Sequence, residues 1–390
     1  MTRCSVNLLN PVFPLREDSA GIYIHVPFCL TRCHYCAFAT NVYDEILAAR
    51  YVNSVVDEMR LRFQDIPVDT IYLGGGTPSL LRPGDVEKLI QSCADCFTVA
   101  KDPEITVEMN PATVDGAGLE EFRAAGVTRI SLGVQSFRDD ELRAMGRLHT
   151  CSDSLAAFDD LRAAGFDNIS LDLIAGYPGQ SFEVLRRGLR TVAALGPEHV
   201  SIYLLEVKPG TNLQEQIRTG AMPEVDDDLC ADMYEEICSH LKSTGYTQYE
   251  ISNFSEKGRE SLHNLKYWQD CVYIGLGAGA HGMTGRIRYA NHEDLEEYMR
   301  EIDRHRLPER TVTSLTPETR FKDALIMGLR LTRGLDLAAL GDAYGVDARA
   351  FVMETLADLA NEDLFVLVGN VLKLTPRGRL LSNIVFSRLL

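Results

Sequence analysis

Three cysteines lie close together near the start of the chain, at Cys29, Cys33 and Cys36. Thiolates at this C-x3-C-x2-C spacing can hold three corners of a [4Fe–4S] cluster, because cysteine sulfur is the usual protein ligand of such clusters. The run leaves the fourth iron without a protein ligand. An amino group and a carboxylate can chelate that iron, and S-adenosylmethionine (SAM) carries both. An electron passed from the cluster to the bound sulfonium can then break a C–S bond and release a 5′-deoxyadenosyl radical.

Two other interpretations of the cysteines compete with the cluster. A structural zinc site needs four ligands, and His25 or His34 could complete the set of three thiolates. A disulfide framework is disfavoured, because the chain is large, its N-terminus lacks a signal-peptide pattern and its ten cysteines are scattered without pairing. The glycine-rich end of the second predicted strand, Gly74 to Gly76, favours the cluster over zinc.

The elements that must position these cysteines follow a regular order. Short apolar runs alternate with helical patterns, which is typical of repeated βα units and a parallel sheet. Six runs are predicted strands: Gly21–Phe28, Val68–Leu73, Glu104–Met109, Arg129–Val134, Asn168–Ile174 and His199–Leu205. The predicted helices between them are Glu45–Phe63, Asp85–Phe97, Gly118–Ala125, Ser154–Ala164 and Phe182–Leu195. The fold class is therefore α/β, and six units suit a partial six-stranded (β/α) barrel with its site at the C-terminal ends of the strands.

Glycine follows the second predicted strand at the point where a site of this kind should lie. The strand Val68–Leu73 runs into the triplet Gly74 to Gly76 and then Thr77. Backbone without side chains lets a ligand approach closely and exposes main-chain N–H and C=O groups to it. A glycine triplet alone can also be a simple turn. Its position one βα unit after the cysteines favours a ligand-binding role.

Polar side chains interrupt the later predicted strands. Glu108, Gln135 and Asp172 each lie in an apolar, β-rich run, where burial without a partner would be costly. We expect each to face a polar ligand, the alternative being a carboxylate satisfied by a neighbouring arginine or backbone N–H. Arg147 could pair with a ligand carboxylate or could be a solvated charge at a helix end.

These residues together resemble the radical SAM superfamily, and more narrowly the oxygen-independent coproporphyrinogen III oxidase-like family. The resemblance rests on Tyr-Ile-His-Val-Pro-Phe-Cys from Tyr23, Gly-Gly-Gly-Thr-Pro, Glu-Met-Asn-Pro, Ser-Leu-Gly-Val-Gln-Ser-Phe and Asp-Leu-Ile-Ala-Gly-Tyr-Pro-Gly-Gln, in order. It implies that Cys29, Cys33 and Cys36 ligate the cluster. The SAM contacts that it implies are Tyr23, Gly75, Gly76, Thr77, Glu108, Gln135, Arg147 and Asp172, with a further adenosyl-contacting loop at 274–281 that ends in His281.

Two functions compete within that family. One is the dehydrogenase that oxidatively decarboxylates two propionates of coproporphyrinogen III, and the other is a heme chaperone, which resembles the enzyme but lacks its activity. The dehydrogenase carries another cysteine two positions after its third ligand and a longer N-terminal extension, whereas Phe38 stands at that position here and about 20 residues precede the first strand. The resemblance therefore favours a heme chaperone that passes heme to an acceptor protein, with respiratory enzymes as an acceptor class. A radical SAM enzyme acting on another substrate is a third alternative.

A second motif carries the heme prediction. His263, Tyr267 and Trp268 lie in the run His-Asn-Leu-Lys-Tyr-Trp, which matches the H-N-x-x-Y-W motif of the chaperones. Imidazole is a common axial ligand of heme iron, and the two aromatic rings could pack on a porphyrin face. Rival ligands nearby are His281, Cys271 and Tyr273. The sequence leaves open whether SAM and the cluster act structurally, as a switch, or in an electron-transfer or radical step.

The remaining cysteines are predicted to be structural. Cys93 and Cys96 share one apolar helical face with Leu89, which indicates buried small hydrophobic residues rather than a redox pair. The same interpretation applies to the isolated cysteines, which are Cys4, Cys151, Cys230, Cys238 and Cys271.

The charge and hydropathy of the chain limit its partners and its location. A formal net charge of −17 argues against a nucleic-acid-binding surface. No run is long and apolar enough to span a membrane, so we expect a cytoplasmic protein that meets membrane proteins only transiently.

A further strand is predicted at Tyr249–Asn253, and a hairpin at Leu364–Val368 and Val371–Leu374. The predicted domains are an N-terminal extension (1–20), the barrel (21–225), an extension that closes the barrel and carries the H-N-x-x-Y-W motif (226–310), and a smaller, mostly helical, winged-helix-like C-terminal domain (311–390).

Overall fold

The computed structural model describes residues 19–62, 65–111, 113 and 116–390. In chain order the strands are β1 (Ala20–Val26), β2 (Phe28–Cys29), β3 (Asn41–Val42), β4 (Pro67–Gly75), β5 (Thr98–Met109), β6 (Arg129–Gln135), β7 (Ile169–Ala175), β8 (His199–Leu204), β9 (Thr247–Gln248), β10 (Asn253–Ser255), β11 (Tyr273–Leu276), β12 (His281–Thr284), β13 (Ile287–Asn291), β14 (Glu309–Ser314), β15 (Leu335–Asp336), β16 (Phe365–Val368) and β17 (Val371–Leu374). The helices are α1 (Glu45–Leu61), α2 (Pro83–Cys96), α3 (Gly116–Ala124), α4 (Asp139–Ala144), α5 (Cys151–Ala163), α6 (Phe182–Leu195), α7 (Asn212–Arg218), α8 (Asp227–Ser243), α9 (Leu262–Trp268), α10 (Leu295–Asp303), α11 (Pro317–Gly328), α12 (Leu337–Tyr344), α13 (Ala348–Thr355), α14 (Pro376–Leu380) and α15 (Ser382–Leu389).

The six predicted strands form one parallel sheet in the order β1-β4-β5-β6-β7-β8. This confirms the α/β prediction of repeated βα units. The sheet continues beyond both ends of this set, because β11 pairs in parallel with β1, and β10 pairs antiparallel with β8. Strands β12, β13 and β14 then extend the β11 edge, and β9 extends the β10 edge. Sequence periodicity missed these additions, since the later strands are short and lie outside the βα alternation.

Alternation along each strand explains how the sheet builds an interior. In β4, Ile71 and Leu73 are fully buried in the main hydrophobic core, while Thr70 and Tyr72 lie on the opposite face. Burying an aliphatic side chain of this size stabilises the fold by roughly 1.5–3 kcal/mol. Because the opposite face carries hydroxyl and carboxyl groups instead, it encloses a polar interior in which ligands can be held by hydrogen bonds.

Helix ends follow the local sequence. Asp44 accepts a hydrogen bond from the backbone N–H of Leu47 at 2.8 Å and so caps α1. Helix α6 spans the predicted residues and ends at Gly196, which has a φ of 60° in the left-handed region that favours glycine. Gly126 and Gly165, which follow α3 and α5, also have positive φ angles, of 101° and 87°.

A buried ion-pair network fastens α1 to the later strands. Arg62 donates from Nε to Glu58 Oε1 and from Nη1 to Glu309 Oε1, each at 2.8 Å. Glu58 is fully buried and also accepts from the Gly277 backbone N–H at 2.8 Å and the Tyr298 hydroxyl at 2.7 Å. Apart from the local Arg62–Glu58 pair, these contacts join distant parts of the chain, so the network holds the loop at 274–281 against α1.

Two sequence predictions are wrong, one of a strand and one of buried cysteines. Tyr249–Asn253 is not one strand: β9 ends at Gln248 and β10 begins at Asn253. Glu250 turns the backbone between them, because its carboxylate accepts from the Ser252 N–H at 2.8 Å. The described isolated cysteines Cys151, Cys230, Cys238 and Cys271 are partly exposed rather than buried, whereas Cys93 and Cys96 are buried as predicted. The prediction for Cys4, like nearly all of the predicted N-terminal extension, falls outside the described residues.

The C-terminal residues have a hydrophobic core of their own. Side chains from Phe321 to Leu389 form it, separate from the core under the main sheet. Three helices precede the predicted hairpin, in which β16 and β17 pair antiparallel and β15 adds a third strand. This arrangement of helices and hairpin is winged-helix-like, as predicted. None of the helices in the described residues is long and apolar enough to cross a membrane.

Candidate cofactor-binding site

A cavity of about 770 Å³ opens at the C-terminal ends of the parallel strands. Most of the residues predicted from the sequence line it, although they come from six different parts of the chain. They are Cys29, Cys33, Cys36, Gly75, Gly76, Thr77, Glu108, Gln135, Arg147 and Asp172. The volume is within the range of ordinary small-molecule and cofactor sites. The sheet therefore brings the three predicted cluster ligands to one place together with seven of the nine predicted SAM contacts, all except Tyr23 and His281.

The cysteines lie on a loop that is closed at its base. Strand β2 pairs with β3, which places Phe28 opposite Asn41. His34 fastens the middle of the loop, because its Nδ1 lies 2.8 Å from the Ala144 carbonyl oxygen. The loop is thus held from both its base and its middle, with its sulfur atoms towards the cavity.

The thiols have polar neighbours on the cavity wall. The Thr77 hydroxyl donates to Cys29 Sγ at 3.6 Å, and Arg147 Nη1 donates to Cys33 Sγ at 3.5 Å. Burial raises the pKa of Cys29 and Cys36, so these thiols need a nearby positive charge to ionise. Iron would supply that charge, and three thiolates are the donor set that a [4Fe–4S] cluster requires. The residues present fit the cluster.

The arrangement gives no support to the zinc alternative. The two imidazoles that could have completed a zinc site make other contacts, with His25 Nδ1 2.9 Å from the Tyr23 hydroxyl and His34 Nδ1 2.8 Å from the Ala144 carbonyl oxygen. Each ring is anchored through Nδ1 by a contact outside the set of three thiols.

Close backbone packing explains the glycine triplet. Gly75 has a φ of 114°, a left-handed conformation that side-chain-bearing residues rarely adopt. A Cβ on Gly76 would lie 2.6 Å from the Phe28 carbonyl oxygen, which is closer than such atoms can approach. The two glycines therefore let β4 end directly against the cysteine loop, and any side chain there would push the loop away.

Glu108 is the most perturbed acid on the cavity wall. The Tyr72 hydroxyl donates to Glu108 Oε1 at 2.8 Å, and the Gly75 N–H donates to Oε2 at 2.9 Å. Burial raises the pKa of Glu108 from 4.5 to about 7, against the lowering effect of these two donors. The carboxyl can therefore gain or lose a proton near neutral pH, and a cationic ligand would favour its ionised form.

Other predicted side chains are fixed by local hydrogen bonds. Arg147 donates to the Gly133 carbonyl oxygen at 2.8 Å and to Asn110, whose own Nδ2 donates to Thr77 Oγ1 at 2.7 Å. Asp172 accepts from the Ser131 and Ser170 hydroxyls at 2.6 and 2.9 Å. These bonds hold the charged groups in place before any ligand arrives.

Backbone strain marks a further member of the wall. Gln135 has a φ of 64°, which is uncommon for a residue with a side chain, at a register irregularity between β6 and β7. The irregularity re-aims the end of β6 towards the cavity. Strain of this kind is typical of functional sites.

Sequence reasoning missed two residues of the site. Asn110 joins Arg147 to Thr77, and Tyr72 orients Glu108. Each carried a signal, because Asn110 directly follows β5 and Tyr72 lies on the inward face of β4, two residues before the glycine triplet. Asn110 could have been found among the residues at strand ends, and Tyr72 among the inward-facing residues within strands.

The predicted heme motif lies elsewhere, against β1 and β4. Helix α9 begins at Leu262, and the Glu104 carboxylate of β5 accepts from the N–H groups of Leu262 and His263 at 3.0 Å each. His263 is 1% exposed, with Nδ1 2.8 Å from Thr70 Oγ1 and Nε2 2.9 Å from the Tyr267 hydroxyl. Burial lowers the pKa of His263 to about 3, so the ring is neutral, and both of its nitrogens are engaged.

The other residues of this region form an aromatic contact chain. The Tyr72 ring connects the H-N-x-x-Y-W motif with the cavity wall. Its centroid lies 5.2 Å from that of His263, and its hydroxyl donates to Glu108. Tyr23, predicted to contact SAM, stacks on Tyr72 at 6.1 Å and does not line the cavity. Trp268 is partly exposed, with the Arg330 guanidinium 4.3 Å from its ring centroid.

The loop that ends in His281 also lies apart from the cavity wall. His281 is exposed in β12 and is not among the residues that line the cavity. The structure therefore groups the cysteines with the strand-end residues. It places Tyr23, His281 and the H-N-x-x-Y-W motif outside that group.

Comparison with known proteins agrees with this architecture. The radical SAM superfamily matches residues 23–191, and the HemN C-terminal domain matches residues 315–381. Coproporphyrinogen III oxidase (HemN) from Escherichia coli, described as a radical SAM enzyme, has the same fold, with a TM-score of 0.85 and 24% identity over 97% of this chain and 91% of that chain. Membership of the radical SAM superfamily implies a [4Fe–4S] cluster and SAM.

Relatives in sequence narrow the family. Heme chaperone HemW of Bacillus subtilis (strain 168) is 36% identical over 94% of this chain and 98% of that protein. Heme chaperone HemW of Mycobacterium tuberculosis (strain ATCC 25618 / H37Rv) is 36% identical over 97% of this chain and 96% of that protein. The mitochondrial radical S-adenosyl methionine domain-containing protein 1 of Mus musculus is 36% identical over 81% of this chain and 74% of that protein. The chain therefore belongs to the radical SAM superfamily and, within it, to the oxygen-independent coproporphyrinogen III oxidase-like proteins of the HemW heme-chaperone type.

Proposed function

We propose that this protein is a heme chaperone, which binds heme and passes it to an acceptor protein while carrying a [4Fe–4S] cluster and SAM. The observation that carries the proposal is the relationship to the heme chaperone HemW of Bacillus subtilis, at 36% identity over 98% of that protein's length. A residue of the cavity supports the same choice, since Phe38 stands where the resemblance places a further cysteine in the dehydrogenase, and it lines the cavity.

Different residues of the cavity would hold the cluster and SAM. Cys29, Cys33 and Cys36 would hold the cluster, and the bound pair would supply reducing electrons and a source of the adenosyl radical. Arg147, fixed by its bond to Gly133, offers a cation to the SAM carboxylate. Glu108 offers the SAM amino group an acceptor that ionises near neutral pH.

The predicted heme ligand His263 stays a prediction. For its imidazole to reach iron, the ring would have to give up its hydrogen bonds to Thr70 and Tyr267 and leave a site where it is 1% exposed. We propose heme-acceptor proteins such as respiratory enzymes as partners, and a cytoplasmic location, where thiols stay reduced and a cluster can persist.

Anaerobic reconstitution of the cluster followed by heme titration tests the proposal. We expect saturable binding of one heme per chain and no conversion of coproporphyrinogen III when SAM and reductant are supplied. A wild-type protein that binds no heme but decarboxylates coproporphyrinogen III would be the dehydrogenase, which the shared fold with HemN makes the second candidate. SAM cleavage that changes a different molecule would instead support the third candidate, a radical enzyme on another substrate.

A further inference from the structure

Three exposed apolar side chains border the mouth of the cavity. Leu30, Phe38 and Leu148 are 54%, 61% and 69% exposed, and all three line the cavity. Leu30 and Phe38 belong to the cysteine loop, whereas Leu148 follows Arg147. We call these three residues the apolar rim.

The rim is unusual for this molecule. Of the phenylalanines in the described part of the chain, Phe38 is the one that is mostly exposed. Single exposed apolar residues are normal on a protein surface, but grouped ones that border a cavity are typical of a binding site. The rim therefore has the chemistry to cover the face of a large apolar ligand.

The rim differs in chemistry from the inner wall. Deeper residues of the cavity are charged or hydrogen-bonding, among them Glu108, Arg147 and Asp172. A polar, charged ligand such as SAM suits the inner wall, while the rim suits a flat apolar one. Because the rim side chains are exposed at the opening, a ligand on them can extend outside the cavity of about 770 Å³.

Two cationic side chains share the cavity lining with the rim. Arg32 and Lys208 both line the cavity. Lys208 pairs with Glu206 at 2.6 Å, but the two side chains are 47% and 70% exposed, so this pair contributes little and can exchange partners. Cations next to an apolar surface match a ligand with an apolar ring and carboxylates on one edge.

We infer that heme binds at the apolar rim, with its ring face on Phe38 and Leu148 and its propionates towards Arg32 and Lys208. The inference rests on the proposed function and names the site at which that function is carried out. His263, the imidazole of the H-N-x-x-Y-W helix, is 1% exposed and has both ring nitrogens engaged. The rim is open without any movement of the fold.

This site would also suit the release of heme. His149, the histidine among the residues that line the cavity, is buried, with Nε2 3.1 Å from the Val134 carbonyl oxygen. The ring of heme is then held by its face and edge rather than by a buried imidazole of the cavity wall. An acceptor protein that supplies an axial ligand can withdraw heme from such a site.

The test uses the anaerobically reconstituted protein and a heme titration followed by Soret absorbance. We expect the double variant Phe38→Ser with Leu148→Ser to bind heme about tenfold more weakly or worse, because two apolar contacts are lost. The control is Val368→Ser on β16, whose side chain is 67% exposed and lies far outside the cavity lining. Iron content and SAM affinity are measured alongside, and Leu148→Ser alone is used if Phe38→Ser lowers iron content.

The outcomes separate the site from the function. Equal heme affinity in the wild type and the rim variants, with weaker binding in His263→Ala, would overturn the inference and move heme to α9. A wild type without saturable heme binding would overturn the proposed function, and the inference with it. As a second test, Lys208→Glu should weaken binding of heme but not of heme dimethyl ester, whose carboxylates are blocked; equal weakening of both would count against the propionate contact.

Discussion

Replacing Glu108 with glutamine should change how the stability of the protein depends on pH. Glu108 is buried against the cavity wall, where it accepts from the Tyr72 hydroxyl at 2.8 Å and the Gly75 N–H at 2.9 Å. Burial, with a smaller contribution from the Asp172 charge, raises its pKa from 4.5 to about 7. Glutamine has the same shape and can keep both contacts only in part, but it cannot ionise.

Proton linkage gives the sign and size of the pH dependence of the free energy of unfolding. Below pH 4.5 the carboxyl is protonated in both the folded and the unfolded chain, so it adds no pH dependence. Between pH 4.5 and 7 the unfolded chain loses its proton while the folded chain keeps it, so the free energy of unfolding falls as pH rises, and it levels off above pH 7. For these two pKa values, the wild type should lose about 2.5 kcal/mol between pH 5 and 8 that the Glu108→Gln variant does not lose.

Thermal unfolding under anaerobic conditions measures this difference. For a chain of this length, about 2.5 kcal/mol corresponds to a shift of about 3 °C in the midpoint. We therefore expect the midpoint of Glu108→Gln to rise by about 3 °C relative to wild type when pH increases from 5 to 8. Glu87→Gln, on the exposed face of α2, is the matched control and should follow the wild type. Parallel curves for wild type and Glu108→Gln would refute the raised pKa and the argument from burial.

Three further changes test the site and its support. Arg147→Met removes the guanidinium predicted to meet the SAM carboxylate, so SAM affinity should fall about tenfold to a hundredfold by calorimetric titration, and unchanged affinity would contradict that role. Cys36→Ala should lose most of its iron after reconstitution, whereas Cys230→Ala should keep it; equal iron contents would count against the ligand assignment. Arg62→Met leaves the fully buried Glu58 without its ion pair, so urea unfolding should show a loss of about 3–5 kcal/mol, and a loss below about 1 kcal/mol would show that the pair is not needed.

The sequence by itself determined the chemistry of the cavity. The cysteine spacing is local, so three thiolates near one another follow from Cys29 to Cys36 without any knowledge of the fold. The βα alternation predicts parallel strands, and the C-terminal ends of parallel strands meet at one edge. That rule is enough to bring Gly75, Glu108 and Asp172 to the same cavity, as the structure does.

Only the tertiary structure decided which residues from distant parts of the chain meet. Thr70 and His263 are 193 positions apart, yet their side chains lie 2.8 Å from each other. Periodicity shows that a residue belongs to a buried face but does not say which element covers that face. The sequence could therefore mark the H-N-x-x-Y-W motif without placing it behind Tyr72, and it could not predict that β11 pairs with β1.

The exposure of the apolar rim was also decided by the tertiary structure. Nothing in the sequence marks Leu30, Phe38 and Leu148 as exposed, because an apolar residue is expected to be buried until a structure shows otherwise. Their shared position at one opening results from the folding of the cysteine loop against the C-terminal end of α4, through His34 and Ala144. Local spacing determined which atoms can bind a cluster, and long-range packing decided what surrounds it.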